Sequence, residues 1–193
     1  MKVYFAASHR GTKSYHNNYL AIHQIIDELG YTHTDTSLKN IESIEFYTAL
    51  DSGGHKAYEN LYKEKIDHIK DADICIFECS FPSLSIGYQI EKSLEYNKPT
   101  IILYVKGQLP YFLKGMENDK LITSHYSLSP SFKNELKNIL DSAKHIADKR
   151  FNFFISPMQL NYLNNVSREL GVTKSTHIRN LIAEDMHRRN KKK

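Results

Sequence analysis

The chain contains no tryptophan, two cysteines, five prolines and eight glycines in 193 residues. So little Pro and Gly, with 40% hydrophobic and 25% charged residues, excludes collagen-like and low-complexity disordered classes. It leaves a folded, soluble chain long enough for one full domain plus a small module. No run of 18 apolar residues occurs, so no helical membrane span and no membrane partner are expected. Cys75 and Cys79 share one apolar run and offer neither a disulfide framework nor zinc-ligand spacing. A reducing, cytoplasmic compartment is expected. The opening MKVYFAAS is too short for a signal peptide and reads as a strand. The histidines His16, His23, His33, His55, His68 and His125 follow no metal-binding spacing, so neither a metal nor a cofactor is expected.

What is present is distributed unevenly. The net charge of +4 conceals 11 Lys or Arg against 4 Asp or Glu in residues 144–193, and 15 against 18 in residues 1–143. A body of net −3 therefore carries an end of net +7. Such an end is either a solvated tail or a nucleic-acid-binding module.

Val3–Ala7 reads as a buried strand, followed by a polar turn at Ser8-His9-Arg10-Gly11. Tyr19, Ile22, Ile25, Ile26 and Leu29 have helical spacing, with Gly30 as the stop. A short strand is expected near 31–34. Residues 35–54 give no clear pattern and close on Ser52-Gly53-Gly54, which reads as a loop over a pocket. A helix over 58–69, a strand over 74–77, a helix over 87–96, a strand over 100–105 and a helix over 132–146 complete the first unit. Alternation of strands and helices predicts a parallel, Rossmann-like (flavodoxin-like) α/β sheet in three layers. Ligands of such sheets sit at the C-terminal strand ends. Asp71 and Asp73 precede the central strand and read as turn and cap groups.

The remaining stretch has a different grammar. Phe151, Phe153 and Ile155 form one face of an expected strand. Ser156-Pro157 opens a helix with the stripe Leu160, Leu163, Val166 and Leu170 and a stop at Gly171. Thr173 caps a second helix with Ile178, Leu181, Ile182 and Met186 on its stripe. One strand and two short helices cannot enclose a core, so a second copy supplying a partner strand is expected.

Residues 149–187 resemble a ribbon-helix-helix domain of the Arc and MetJ class. That resemblance implies a homodimer or higher homo-oligomer whose paired strands enter the major groove of double-stranded DNA. The outward residues would be Arg150, Asn152 and Phe154, of which arginine suits guanine and asparagine adenine. Phe154 stands where that family usually has a polar residue. Thr173, Lys174 and Ser175 would hold phosphate at a helix start. The plainer reading is a dimerisation clamp.

Residues 1–140 resemble the nucleoside 2-deoxyribosyltransferase superfamily, and within it the 2'-deoxynucleoside 5'-monophosphate N-glycosidases. VYFAASHRG carries one of its motifs through Tyr4, Phe5, Ala7, Ser8, Arg10 and Gly11. FPSLSIGYQIEKS carries the other through Pro82, Ser83, Ser85, Gly87, Tyr88 and Gln89. The resemblance implies a nucleoside monophosphate or related phosphosugar as ligand. It places Ser8, Arg10, Gly11 and Ser83 on the 5'-phosphate, Tyr4 near the reaction centre, and Gly87 beside the nucleotide. By position alone, His9 either touches phosphate or base or is a solvated loop histidine, and Tyr88 either stacks on a base or packs its helix against the sheet. Two catalytic positions depart: Gln89 stands where the family has its nucleophilic glutamate, and Lys65 where it has an aspartate. Pro110 stands where a neighbouring subunit supplies a serine. Glu64 or Asp67 after a register shift, and Glu78 or Glu91, are the candidate replacements for the lost carboxylates.

Three functions follow from these features. The leading expectation is a catalytically impaired nucleotide-binding domain (1–143) coupled to a dimeric DNA-binding module (144–193), a ligand-responsive transcription regulator. The enzymatic alternative is an active nucleotide N-glycosidase or nucleoside deoxyribosyltransferase acting on a (deoxy)nucleoside 5'-monophosphate. A structural protein assembled through the ribbon is the third.

Overall fold

The structure is a computed structural model that describes residues 1–37, 43–147 and 153–191. The chain divides into two compact units, Met1–Asp148 and Lys149–Lys193. In the first, β1 (Lys2–Ala7), β2 (Thr32–His33), β3 (Ile74–Glu78), β4 (Thr100–Val105) and β5 (Leu121–Tyr126) form one sheet in the order β2-β1-β3-β4-β5, every pair parallel. This is the doubly wound, flavodoxin-like order, whose topological switch point lies between β1 and β3. The connecting helices are α1 (Thr12–Glu28), α2 (Ser43–Asp71), α3 (Leu84–Glu95), the single turn α4 (Tyr111–Lys114) and α5 (Phe132–Ile146).

Alternation along the strands divides the core. Val3, Phe5, Ile74, Ile76, Ile101 and Leu103 pack with Ile22 and Ile26 of α1 and Leu136 and Leu140 of α5. Tyr4, Ala6, Cys75, Phe77 and Ile102 pack with Ile66 and Ile69 of α2 and Ile86 and Ile90 of α3 on the other face. The continuous apolar sequence of the central strands therefore reflects burial on both faces.

Two expectations for this unit need correction. β5 was not foreseen, because LITSHY mixes polar and apolar residues without clean alternation and lies at the sheet edge. Ser52-Gly53-Gly54 is no open loop: residues 43–54 belong to α2, which breaks only at Gly54, whose φ of +59° suits glycine, while 38–42 lie outside the described residues.

The second unit contains α6 (Pro157–Leu170) and α7 (Lys174–Asn190). Ser156 and Gln159 form a reciprocal capping box, Pro157 opens the helix, Gly171 closes it at φ +66°, and Thr173 caps α7. The strand expected over 151–155 is not formed at 153–155, and 151–152 lie outside the described residues. No distinct ribbon-helix-helix module is evident, since a strand needs a paired edge and this segment pairs with none among the described residues. No helix among the described residues is long and apolar enough to cross a membrane.

Candidate active site

A cavity of 630 Å3 opens at the C-terminal end of β1, where the switch point predicts a ligand. β1 and the following turn contribute Tyr4 to His9, the segment after β2 contributes Asp35 and Ser37, α2 contributes one face between Phe46 and Ile66, and the start of α3 contributes Ser83 to Ile86 with Tyr88 and Gln89. The helical rhythm of α2 explains its share. Phe46 and Leu50, and then Tyr58, Leu61 with Tyr62, and Lys65 with Ile66, recur at three- to four-residue spacing and so present one face.

The polar groups are tightly paired. Tyr4, fully buried, donates its hydroxyl to Gln89 Oε1 at 2.6 Å. Burial first, and then the Asp35 charge, holds the Tyr4 phenol protonated well above its ordinary value. Lys65 Nζ donates to Asp35 Oδ2 at 2.5 Å and to Ser37 Oγ at 2.8 Å, while Ser37 N–H donates to Asp35 Oδ1 at 2.8 Å. Burial acts to raise the Asp35 carboxyl, but the Lys65 charge and the hydrogen bonds from Lys65 and Ser37 together outweigh it. The result is a carboxylate held below its usual value and ionised at neutral pH. Asp35 is the second residue past β2, the place where open α/β sheets display functional groups.

His9 stacks on Phe46 with ring centroids 3.8 Å apart. Burial first, then the Lys65 charge, lowers the His9 imidazole to about 4. Its Nδ1 is buried without a hydrogen-bond partner among the described residues. Ser8 is buried, and Ser83 caps α3 by accepting the Ile86 N–H. The first turn of α3 therefore directs its N-terminal end at the cavity. Phe46, Tyr47, Tyr58, Tyr62 and Tyr88 form an aromatic wall, with the Tyr62 and Tyr88 hydroxyls 3.2 Å apart.

Of the residues singled out from sequence, Tyr4, Ser8, His9, Lys65, Ser83, Tyr88 and Gln89 line this one cavity. Arg10, Gly11 and Gly87 do not. Arg10 is exposed, with its guanidinium 5.2 Å from the ring centre of the cavity residue Tyr47. Gly11 is required by packing: a Cβ there would collide with the Tyr19 hydroxyl and lie 2.8 Å from Phe81 Cβ. A Cβ at Gly87 would meet nothing within 4 Å.

Glu78 departs from its expected place. It extends toward the α1 and α5 face, opposite Phe77 and the cavity, because neighbouring strand residues alternate. There it is fully buried and accepts hydrogen bonds from the Ser80 hydroxyl, Ser80 N–H and Tyr126 OH. Burial pushes its carboxyl up, against the opposing effect of these hydrogen bonds. Glu64, Asp67 and Glu91 do not line the cavity either. Arg150 and Asn152 lie outside the described residues. Phe154 is fully exposed, the Thr173 side chain is engaged as a cap, Lys174 Nζ reaches Asn164 Oδ1 at 3.0 Å, and Ser175 is exposed.

Cavity residues that the sequence did not point to include Asp35, Ser37, Phe46, Tyr47, Leu50 and Asp51, and also Tyr58 and Tyr62, which read only as helix positions. One signal could have found the first pair: Asp followed two residues later by Ser, just after an expected strand, is an Asx-turn pattern at a strand end. Two groups of His and carboxylate atoms come within 4.8 Å of one another, contrary to the expectation from spacing alone. In Asp35–Glu64–His68 the Lys65 ammonium already holds Asp35. In His23–Asp27–His33 the imidazoles stack with ring centroids 3.4 Å apart, and a nitrogen of each faces the Asp27 carboxylate, at 3.3 and 3.4 Å.

Fold and site thus define a doubly wound α/β protein with a polar-floored, aromatic-walled cavity at its switch point. No known family profile matches the chain. It is 29% identical over 127 residues to a protein of Syntrophotalea carbinolica provisionally named 2'-deoxynucleoside 5'-phosphate N-hydrolase 1, across 65% of this chain and 84% of that one. A protein of Thermofilum pendens with the same provisional name is 30% identical over 109 residues, across 56% of this chain and 71% of its own. The structure of the CMP N-glycosidase of Clostridium botulinum shares the fold at a TM-score of 0.51 and 15% identity, covering 72% of this chain and 99% of that one. The chain belongs to the 2'-deoxynucleoside 5'-phosphate N-hydrolase family. Stretches of this length cannot lie within the second unit, so the first unit carries the relationship.

Proposed function

We propose that the first unit binds a nucleoside 5'-monophosphate in the cavity and hydrolyses its N-glycosidic bond. The observation that carries this reading is the gathering of Ser8, Ser83 and the α3 N-terminus in one cavity with Tyr4, Gln89 and the ionised Asp35. Ser8, Ser83 and the N–H groups opening α3 hold the 5'-phosphate, with Arg10 approaching from the rim. The unpaired His9 Nδ1 adds one more polar contact at this end. The aromatic wall receives the base, and the volume suits a ligand of nucleotide size. The names of the relatives, a 2'-deoxynucleoside 5'-phosphate N-hydrolase and a CMP N-glycosidase, agree in substrate class and in the bond cleaved.

Free base released from a panel of ribo- and deoxynucleoside 5'-monophosphates, measured chromatographically, tests the reading. Release is expected from at least one nucleotide but not from its nucleoside. Ser8→Ala and Ser83→Ala are each expected to raise KM about tenfold, the loss of one hydrogen bond to a charged group. Equal turnover of the dephosphorylated nucleoside would contradict the phosphate assignment.

A second reading is favoured by Gln89 and Lys65 standing where the family resemblance implies carboxylates. In it the cavity senses a nucleotide without cleaving it and regulates a dimeric, DNA-binding ribbon-helix-helix unit. Supporting it are the +7 charge of residues 144–193, the capped helix pair, and the exposed Phe153, Phe154, Met158, Ile182 and Met186 that a second copy would cover. Nucleotide-dependent, salt-sensitive retardation of promoter DNA with no base release is the outcome that selects this reading.

A further inference from the structure

A glycosidase that passes through a covalent sugar intermediate needs a carboxylate at the nucleophile position. Here that position holds Gln89, and its carbonyl oxygen is already engaged by the Tyr4 hydroxyl at 2.6 Å. A neutral amide so engaged is no nucleophile toward C1' of the sugar. The site nevertheless keeps a negative charge. Among the described residues only Asp35 and Asp51 bring carboxylates to the cavity, and Asp51 is exposed and accepts the Tyr58 hydroxyl. Asp35 is buried and oriented by Lys65 and Ser37. The Lys65 ammonium, the Ser37 N–H and the Ser37 hydroxyl bear on this carboxylate, so of its about four acceptor positions about one remains for water or substrate.

Building on the reaction proposed above, we infer that Asp35 is the catalytic base of a direct displacement, in which water attacks C1' without a sugar–enzyme intermediate. The water oxygen forms the new bond to C1' as the C1'–N bond breaks. One water proton passes to an Asp35 carboxylate oxygen, and the bonding pair leaves with the base, which takes a proton from solvent. The products are the free base and the sugar 5-phosphate. Because the transition state is oxocarbenium-like, the fixed charge of Asp35 also stabilises the cation forming at C1'.

Lys65 gains a role in the same step. It replaces the family's aspartate, and its ammonium orients Asp35 and keeps it charged. The exchange of charge at position 65 and the carboxylate at position 35 are thus two halves of one arrangement, and Lys65 is a positioning residue. Removing it should move the acid limb of the pH–rate profile toward higher pH, because Asp35 would lose the partner that holds its carboxyl down.

The test uses the full chain, nucleoside 5'-monophosphates and radiolabelled free bases. Direct displacement predicts base release with no labelled base entering the nucleotide, because no intermediate exists to accept it. Asp35→Asn should lower kcat by at least 100-fold, the low end for loss of a general base, with KM changed by less than threefold and nucleotide-induced thermal stabilisation retained. Lys65→Met should shift the acid limb upward. Gln89→Glu should introduce label exchange. Release accompanied by exchange in the unaltered chain, or an Asp35→Asn variant that keeps its nucleotide stabilisation and more than one tenth of the rate, overturns the inference and leaves the hydrolase reading standing. Absence of release from every nucleotide overturns both.

Discussion

The two units treat their apolar residues in opposite ways. The first fills both faces of a five-stranded sheet and leaves Ile22, Ile74, Ile76, Ile101 and Leu136 without exposed surface. The second has helices with well-formed ends but buries only Leu163 and His177 among its described residues, while Leu160, Leu181, Ile182 and Met186 stay exposed. Good caps define where helices begin and end, but they do not enclose a core. The first unit can therefore support a preorganised cavity, and the second presents a surface whose stability depends on what covers it.

The largest expected effect that tests this contrast is in the first unit. Ile76→Ala removes a fully buried side chain from the central strand and should cost about 3 kcal/mol in chemical denaturation. A loss below about 1 kcal/mol would show that the sheet is less self-sufficient than its burial implies.

Next comes a pH effect. Neutral His9 is favoured in the folded state, with its imidazole lowered from 6.5 to about 4. Between these values the unfolded chain binds the proton and the folded chain does not, so stability rises with pH. His9 should therefore contribute up to about 3 kcal/mol that is fully present above pH 6.5 and lost as pH falls toward 4. Glu78, whose carboxyl is raised, acts in the opposite direction as pH falls. The comparison that isolates His9 is the pH dependence of unfolding with and without His9→Phe, which should flatten the profile between 4 and 6.5.

Smaller effects probe the second unit. Ser156→Ala removes a capping box and should cost about 1 kcal/mol in that unit, with no change in nucleotide-induced stabilisation. Ile182→Ala should cost less than about 0.5 kcal/mol in a dilute single chain, since the side chain is already exposed. A larger, concentration-dependent loss would identify Ile182 as part of a contact between copies.

Sequence made the sheet legible where burial is complete. Ile74 to Phe77 and Thr100 to Leu103 read as central strands because no polar face interrupts them. β5 escaped because an edge strand keeps polar residues such as Thr123, Ser124 and His125. In the site, the motifs pointed to Tyr4 and Ser8, on and just past β1, and to Ser83 and Gln89, at the cap and in the second turn of α3. Asp35 escaped because its meaning depends on Lys65, thirty residues away, and on the chain reversal after β2. Lys65 alone reads as a lost carboxylate, and only the fold shows another carboxylate beside it. Glu78 looked available at a strand end, but a one-residue step along β3 places it on the other face. The strand read over 151–155 is not formed at 153–155, because a strand needs a paired edge and no described edge pairs with this segment.

The most direct measurement of the central claim is base release from the nucleoside 5'-monophosphate panel by the full chain, with Asp35→Asn in parallel. Release is expected from at least one nucleotide, with dependence on its 5'-phosphate and a loss of at least 100-fold in the variant while nucleotide still raises its melting temperature. No release, with no thermal stabilisation by any nucleotide, would contradict the claim.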